Sequence, residues 1–85
     1  MYRVLIERAA ERDLSRLGAD MHRRIVDAIC SLGANPRPPG CRKLYGGDGH
    51  WRIRVSDYRV IYSIADSIRV VGIRRVRHGR EVYRD

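Results

Sequence analysis

Helical spacing of apolar residues fills the first half of the chain and strand-like alternation fills the second. The opening "YRVLIE" is an apolar run with β-branched members and predicts a strand, paired and partly covered. "RAAERDLSRL" then places Ala10, Leu14 and Leu17 at helical spacing ahead of Gly18. "DMHRRIVDAICSLG" sets Met21, Ile25, Ala28, Ile29 and Leu32 on one stripe, with Asp20 as the expected N-cap and Gly33 as the expected C-cap. These are two amphipathic helices joined by a very short turn. "ANPRPPGC" holds all three prolines and cannot continue a helix, so it predicts a loop leading to a short strand near "RKLYG", and "GDG" turns the chain again.

"WRIRV" and "YRVIYSIA" alternate with period two and are separated by Ser56 and Asp57. A two-residue loop there sets Val55 opposite Tyr58, Arg54 opposite Arg59, Ile53 opposite Val60 and Trp51 opposite Tyr62. One face then carries Trp51, Ile53, Val55, Tyr58, Val60 and Tyr62, which makes the aromatics core residues before they are stacking platforms for bases. The other face carries Arg52, Arg54 and Arg59 with Ile61. Like charges directly opposite each other on a sheet cost about 0.2–1 kcal/mol, so an anion is expected against this face, the alternative being a solvated surface with splayed charges. The last strand is expected from about Ile68 to Val76, followed by a tail with Arg77, His78, Arg80 and Tyr83. A two-residue turn at Asp66 and Ser67 would bring Arg74, not Arg77, onto the arginine face. A turn longer by one residue or a bulge near Gly72 would change that parity, or the strand ends before Arg77, and the sequence leaves the three open.

With 85 residues the chain has room for one domain, 1–85, and one small core. No run of about 18 apolar residues and no signal-peptide pattern is visible, so a cytoplasmic protein without a membrane partner is expected. Cys30 and Cys41 have no metal-ligand spacing and are expected as reduced thiols. The formal charge is +8, and every basic residue but Lys43 is arginine, whose planar fork grips phosphate bidentately. Nine arginines lie between residues 50 and 84 against Asp57, Asp66 and Glu81, which makes a polyanion the first partner to consider, although a basic surface can also simply keep a protein soluble.

The order of elements, together with "KLYG", "HWRIRVSDYRVIYSI" and "HGREVYRD", resembles the RelE branch of the RelE/ParE superfamily of type II toxin-antitoxin toxins over essentially the whole chain. The resemblance implies an α+β fold in which an N-terminal strand and a two-helix hairpin pack on a small, mostly antiparallel twisted sheet, the RelE-like microbial RNase type. It implies a ribosome-dependent mRNA endonuclease acting in the A site, with ribosome, mRNA and a cognate RelB-like antitoxin as partners in a toxin-antitoxin hetero-oligomer. By motif position, the strand basic pair matches Arg52 and Arg54, the "YR" arginine Arg59, the tail arginine Arg77 and the terminal tyrosine Tyr83. Close relatives often have lysines where this chain has Arg52 and Arg54, which hold charge but do not readily release a proton.

RNA brings its own nucleophile: its 2′-hydroxyl attacks the adjacent phosphorus, giving a 2′,3′-cyclic phosphate and a 5′-hydroxyl, so this chemistry calls for no metal or cofactor. It calls for fixed cations and a proton acceptor. Arg54, Arg59 and Arg77 are the candidates for stabilising the transition state, Tyr83 for the base, and His78 for the acid on the leaving oxygen or a phosphate contact. Arg52, Arg74, Arg75, Arg80 and Lys43 are candidate RNA contacts, His22 is expected at the surface, and Tyr45 has no assigned role. Two other readings remain: a ParE-like toxin that inhibits DNA gyrase without cutting RNA, and a basic RNA-binding module without catalysis.

Overall fold

A computed structural model describes residues 1–44 and 49–79. Strand β1 (Arg3–Ile6) leads into helices α1 (Arg8–Ser15) and α2 (Ala19–Ala34), then β2 (Arg42–Lys43), β3 (His50–Val55), β4 (Tyr58–Ala65) and β5 (Val70–His78). The strands form one sheet in the order β1-β5-β4-β3-β2. β1 runs parallel to β5, and the other three pairings are antiparallel, as the two-residue hairpin and short loops dictate. None of the described helices is long and apolar enough to cross a membrane.

The predicted faces separate as the alternation requires. Ala10 and Leu14 of α1 and Ile25, Ile29 and Leu32 of α2 pack with Ile53, Val60, Tyr62, Val71, Ile73 and Val76 of the sheet. Each fully buried branched side chain here contributes about 1.5–3 kcal/mol, so the helix stripes and one sheet face account for the fold. Trp51, Tyr58 and Val55 lie partly buried at the rim of the same cluster.

Three boundaries differ from the sequence reading. Gly18, not Asp20, caps α2, without a side-chain bond, and Asp20 sits in the first turn, where its carboxylate favours the helix dipole. Gly33 lies inside α2, which runs on to Ala34 and ends at Asn35 because the residue before a proline is driven out of helical geometry. The glycine is there for closeness: Tyr2 N–H donates to Gly33 O at 2.7 Å, and a Cβ at 33 would stand 3.1 Å from Tyr2 O. The last strand begins at Val70, since Ala65 pairs with Val70 across a four-residue loop closed by Arg69 at φ 53°, and it continues to His78.

The proline loop is fastened to the far end of the sheet by polar contacts. Tyr62 OH donates to Pro36 O at 2.7 Å, Tyr2 OH donates to Asp66 at 2.6 Å, and Arg37 forks onto both Asp66 oxygens at 3.2 and 2.8 Å while lying 5.1 Å over the Trp51 ring. The Arg37 guanidinium, helped by the Tyr2 hydroxyl, holds the Asp66 carboxyl down at about 2. A carboxyl depressed by folding stabilises fully above its unfolded value near ~3.9, and the benefit is lost as pH falls through the folded value. Between those limits Asp66→Asn is expected to flatten the acid decline of the melting temperature. An unchanged slope in thermal melts at successive pH values would show that the contact contributes nothing. The effect is small because the pair is exposed.

Candidate functional site

The hairpin of β3 and β4 has the expected register, with Arg54 opposite Arg59 and Arg52 opposite Ile61. At the sheet's outer edge β2 adds Arg42 opposite Arg52. A cavity of about 380 Å³ results, lined by Gly40, Arg42, Arg52, Arg54 and Arg59. Four guanidinium groups around one hollow raise the cost of leaving it without an anion and match the oxygens of a phosphodiester. Arg54 is turned toward the hairpin, donating from Nε to Ser56 O at 2.9 Å. Arg59 is only 4% exposed and is the buried charge among the described residues. Gly79 crosses close to it: a Cβ there would lie 3.5 Å from Arg59 Nη1 and 3.2 Å from Asp57 O, which accepts the Gly79 N–H at 2.7 Å.

β5 settles the parity by a bulge. Tyr62 opposes Ile73 but Ile61 opposes Arg75, so Arg74 is the extra residue, and beyond it Arg59 opposes Arg77 and Tyr58 opposes His78. Of the three ways open to the sequence, the bulge is the one adopted, two residues past Gly72. It shifts the buried positions from Val71 and Ile73 to Val76. On the helix side of the strand ends lies a second cavity of about 210 Å³, with Arg16 at the C-cap of α1, Tyr58, Arg77 and His78 in its wall. The His78 ring meets Tyr58 edge-on at 5.4 Å and 74°.

The other candidate cations fall elsewhere. Arg74 pairs with Glu7 at 3.4 Å, and Arg75 donates to Asp13 from Nε at 2.8 Å and from Nη2 at 3.3 Å. Lys43 opposes Trp51, with its Nζ 6.0 Å over that ring, and so leaves the arginine face to Arg42. Arg80 and Tyr83 lie outside the described residues, as does Tyr45. Partial burial pushes the Asp13 carboxyl up, but the bonds from Arg75 and the Val76 N–H, with the charges of Arg75 and Arg77, outweigh it and hold the group below the usual carboxylate range. His22 is exposed, as expected, and both cysteines are free thiols.

Two residues escaped the sequence reading. Arg42 could have been found from the rule that partners on a sheet edge share a face, had the reach of a two-residue strand been known. Asp13 carries no signal, since an acid among arginines on a helix reads as surface.

Comparison with known proteins agrees with this architecture. The family model for the ParE toxin of type II toxin-antitoxin system, parDE, matches residues 4–83. No curated protein matches the chain. Among solved structures, the chain resembles one in the archaeal RelE-RelB complex from Pyrococcus horikoshii OT3, with 30% identity, a TM-score of 0.81, and 92% of this chain and 94% of that chain covered. It resembles one in the toxin-antitoxin complex RelBE2 from Mycobacterium tuberculosis at 29% identity and TM-score 0.80, covering 91% and 96% of the two chains. The isolated RelE toxin of E. coli shares the fold, at 24% identity and TM-score 0.79 over 99% and 93%. With the family model spanning nearly the whole chain, and these likenesses in sheet and helices, the chain belongs to the RelE/ParE family of type II toxin-antitoxin toxins.

Proposed function

We propose that this toxin is a ribosome-dependent mRNA endonuclease. The observation that carries the reading is the cavity where Arg42, Arg52, Arg54 and Arg59 converge, with Arg77 in register beside Arg59. In-line attack by the RNA 2′-hydroxyl gathers negative charge on the non-bridging oxygens as the 5′-oxygen departs. Guanidinium groups held by a rigid sheet answer that charge more strongly than they answer the ground state, and each such donor is worth about 10²–10³ in rate. Arg54, Arg59 and Arg77 take this role, and Arg42 and Arg52 hold the flanking backbone.

Tyr83 is assigned the 2′-hydroxyl proton on its place in "REVY". The setting is the ribosomal A site, reached in the cytoplasm. Cell-free translation with primer extension on the mRNA tests the reading: cuts within codons are expected, and intact mRNA under translational load would overturn it. The ParE description of the matching family favours a second reading, inhibition of DNA gyrase, which a supercoiling assay detects directly.

Two of these solved relatives are toxin-antitoxin complexes, RelE-RelB and RelBE2, and we assign this chain a RelB-like antitoxin as well. A +8 surface speeds encounter with an acidic segment, while residence comes from apolar anchors. Raising salt is therefore expected to slow association well before it speeds dissociation, measured by surface-immobilised binding kinetics. Rapid dissociation at moderate salt would show a grip that is mainly electrostatic.

A further inference from the structure

Beyond Ile6 the first strand leaves β5. Glu7 N–H still donates to Ile73 O at 2.9 Å, and after that α1 carries the chain away, so this edge of β5 loses its strand partner. Buried backbone N–H groups need a replacement acceptor. Asp13, on the inner side of α1 and one residue before the buried Leu14, supplies it: its Oδ2 accepts the Val76 N–H at 2.9 Å and Arg75 Nε at 2.8 Å, and Oδ1 accepts Arg75 Nη2 at 3.3 Å. One carboxylate thus holds the two residues that follow the bulge at Arg74.

The register depends on that bulge. If β5 continued regularly past Ile73, Val76 would oppose Arg59 and Arg77 would oppose Tyr58, on the core side. A one-residue slip exchanges every side chain between faces. The Val76 N–H is turned to Asp13 and not to β4, so Val60 and Val76 form the close, non-hydrogen-bonded kind of pair.

We propose that Asp13 is a positioning residue: by clamping Arg75 and the Val76 amide it keeps the bulge at Arg74, and with it the placement of Arg77 opposite Arg59. The activity arm of the test rests on the nuclease reading above, and the register arm does not. The readout for register is the Hα–Hα nuclear Overhauser effect between Val60 and Val76 in labelled protein.

Asp13→Ala is expected to weaken that signal and to lower cleavage on the order of 10²-fold, the scale of misplacing a catalytic group. Deleting Arg74 gives the same pairs without a bulge, Ile61 with Arg75 and Arg59 with Arg77, so the deletion alone is expected to keep the signal. Combined with Asp13→Ala, it is expected to restore both signal and cleavage. A general loss of stability or of charge would not be rescued in this way. Asp13→Asn, which retains an oxygen for the Val76 N–H, is expected to keep the register and serves where the alanine variant does not fold.

An undiminished Val60–Val76 signal in folded Asp13→Ala overturns the proposal, as does failure of the deletion to restore it. If the wild type cuts no mRNA, the nuclease reading falls and the Overhauser measurements alone decide the role of Asp13.

Discussion

Arg59→Ala is expected to reduce mRNA cleavage by about 10²–10³-fold while the protein stays folded. The side chain stands at the bottom of the arginine cavity, 4% exposed, with Arg54 opposite it on one strand and Arg77 on the other. Burial fixes this guanidinium in one place on the sheet, so its planar fork is held ready for a phosphate oxygen. An oxyanion held at this depth meets a donor that water screens little, which is why a single deletion carries so large an effect. Arg59→Lys keeps the charge but loses the planar fork and is expected to recover only part of the rate. Arg77→Ala is expected to match the alanine variant at 59, because the register makes the two arginines neighbours. Single-turnover cleavage on programmed ribosomes, with circular dichroism as the folding control, measures these losses. Wild-type cleavage by folded Arg59→Ala would remove the arginine face from the mechanism.

Where the chain offered one physical solution, the sequence reading and the structure coincide. The β3–β4 hairpin has two residues between runs of strict alternation, so pairing, faces and the arginine cluster follow together, and Ser56 adopts the left-handed φ of 55° that such a turn demands. The helix stripes are legible for the same reason, since Leu14, Ile25, Ile29 and Leu32 leave no other face to bury. β5 is different. Arg74, Arg75 and Arg77 occupy both parities, so alternation cannot reveal which residue is extra. The choice is made by contacts distant in sequence: Glu7 draws Arg74 to the β1 edge and Asp13 takes Arg75. Helix ends were misplaced where neighbours in space, not local propensity, decide. Gly33 stays helical because Tyr2 packs against it, and the stop waits for Pro36. The family resemblance assigned Arg77 to the arginine face, and the bulge supplies the physical means.

Tyr83→Phe is expected to slow cleavage by about 10²–10⁴-fold with little change in ribosome binding, the signature of losing a general base while binding groups remain. The assignment of Tyr83 rests on its place in "REVY", and the structure bears on it through the other candidate. Arg77 also borders the helix-side cavity but opposes Arg59, on the arginine-face parity, whereas His78 opposes Tyr58 on the core-face parity, with its ring edge-on to that phenol. A group on that side of the sheet is poorly placed to exchange a proton with a phosphodiester seated among the arginines, since proton transfer needs heavy atoms within about 2.6–3.2 Å or one bridging water. His78→Ala is therefore expected to leave the rate of the chemical step near that of wild type. The pH dependence separates the two as well. A tyrosine base gives single-turnover rates that climb with pH until the phenolate predominates, whereas a histidine acid gives rates that fall as pH rises. Equal cleavage by wild type and Tyr83→Phe, together with a large loss in His78→Ala, would transfer the proton chemistry to the helix-side cavity and require the scissile phosphate to sit between His78 and Arg77.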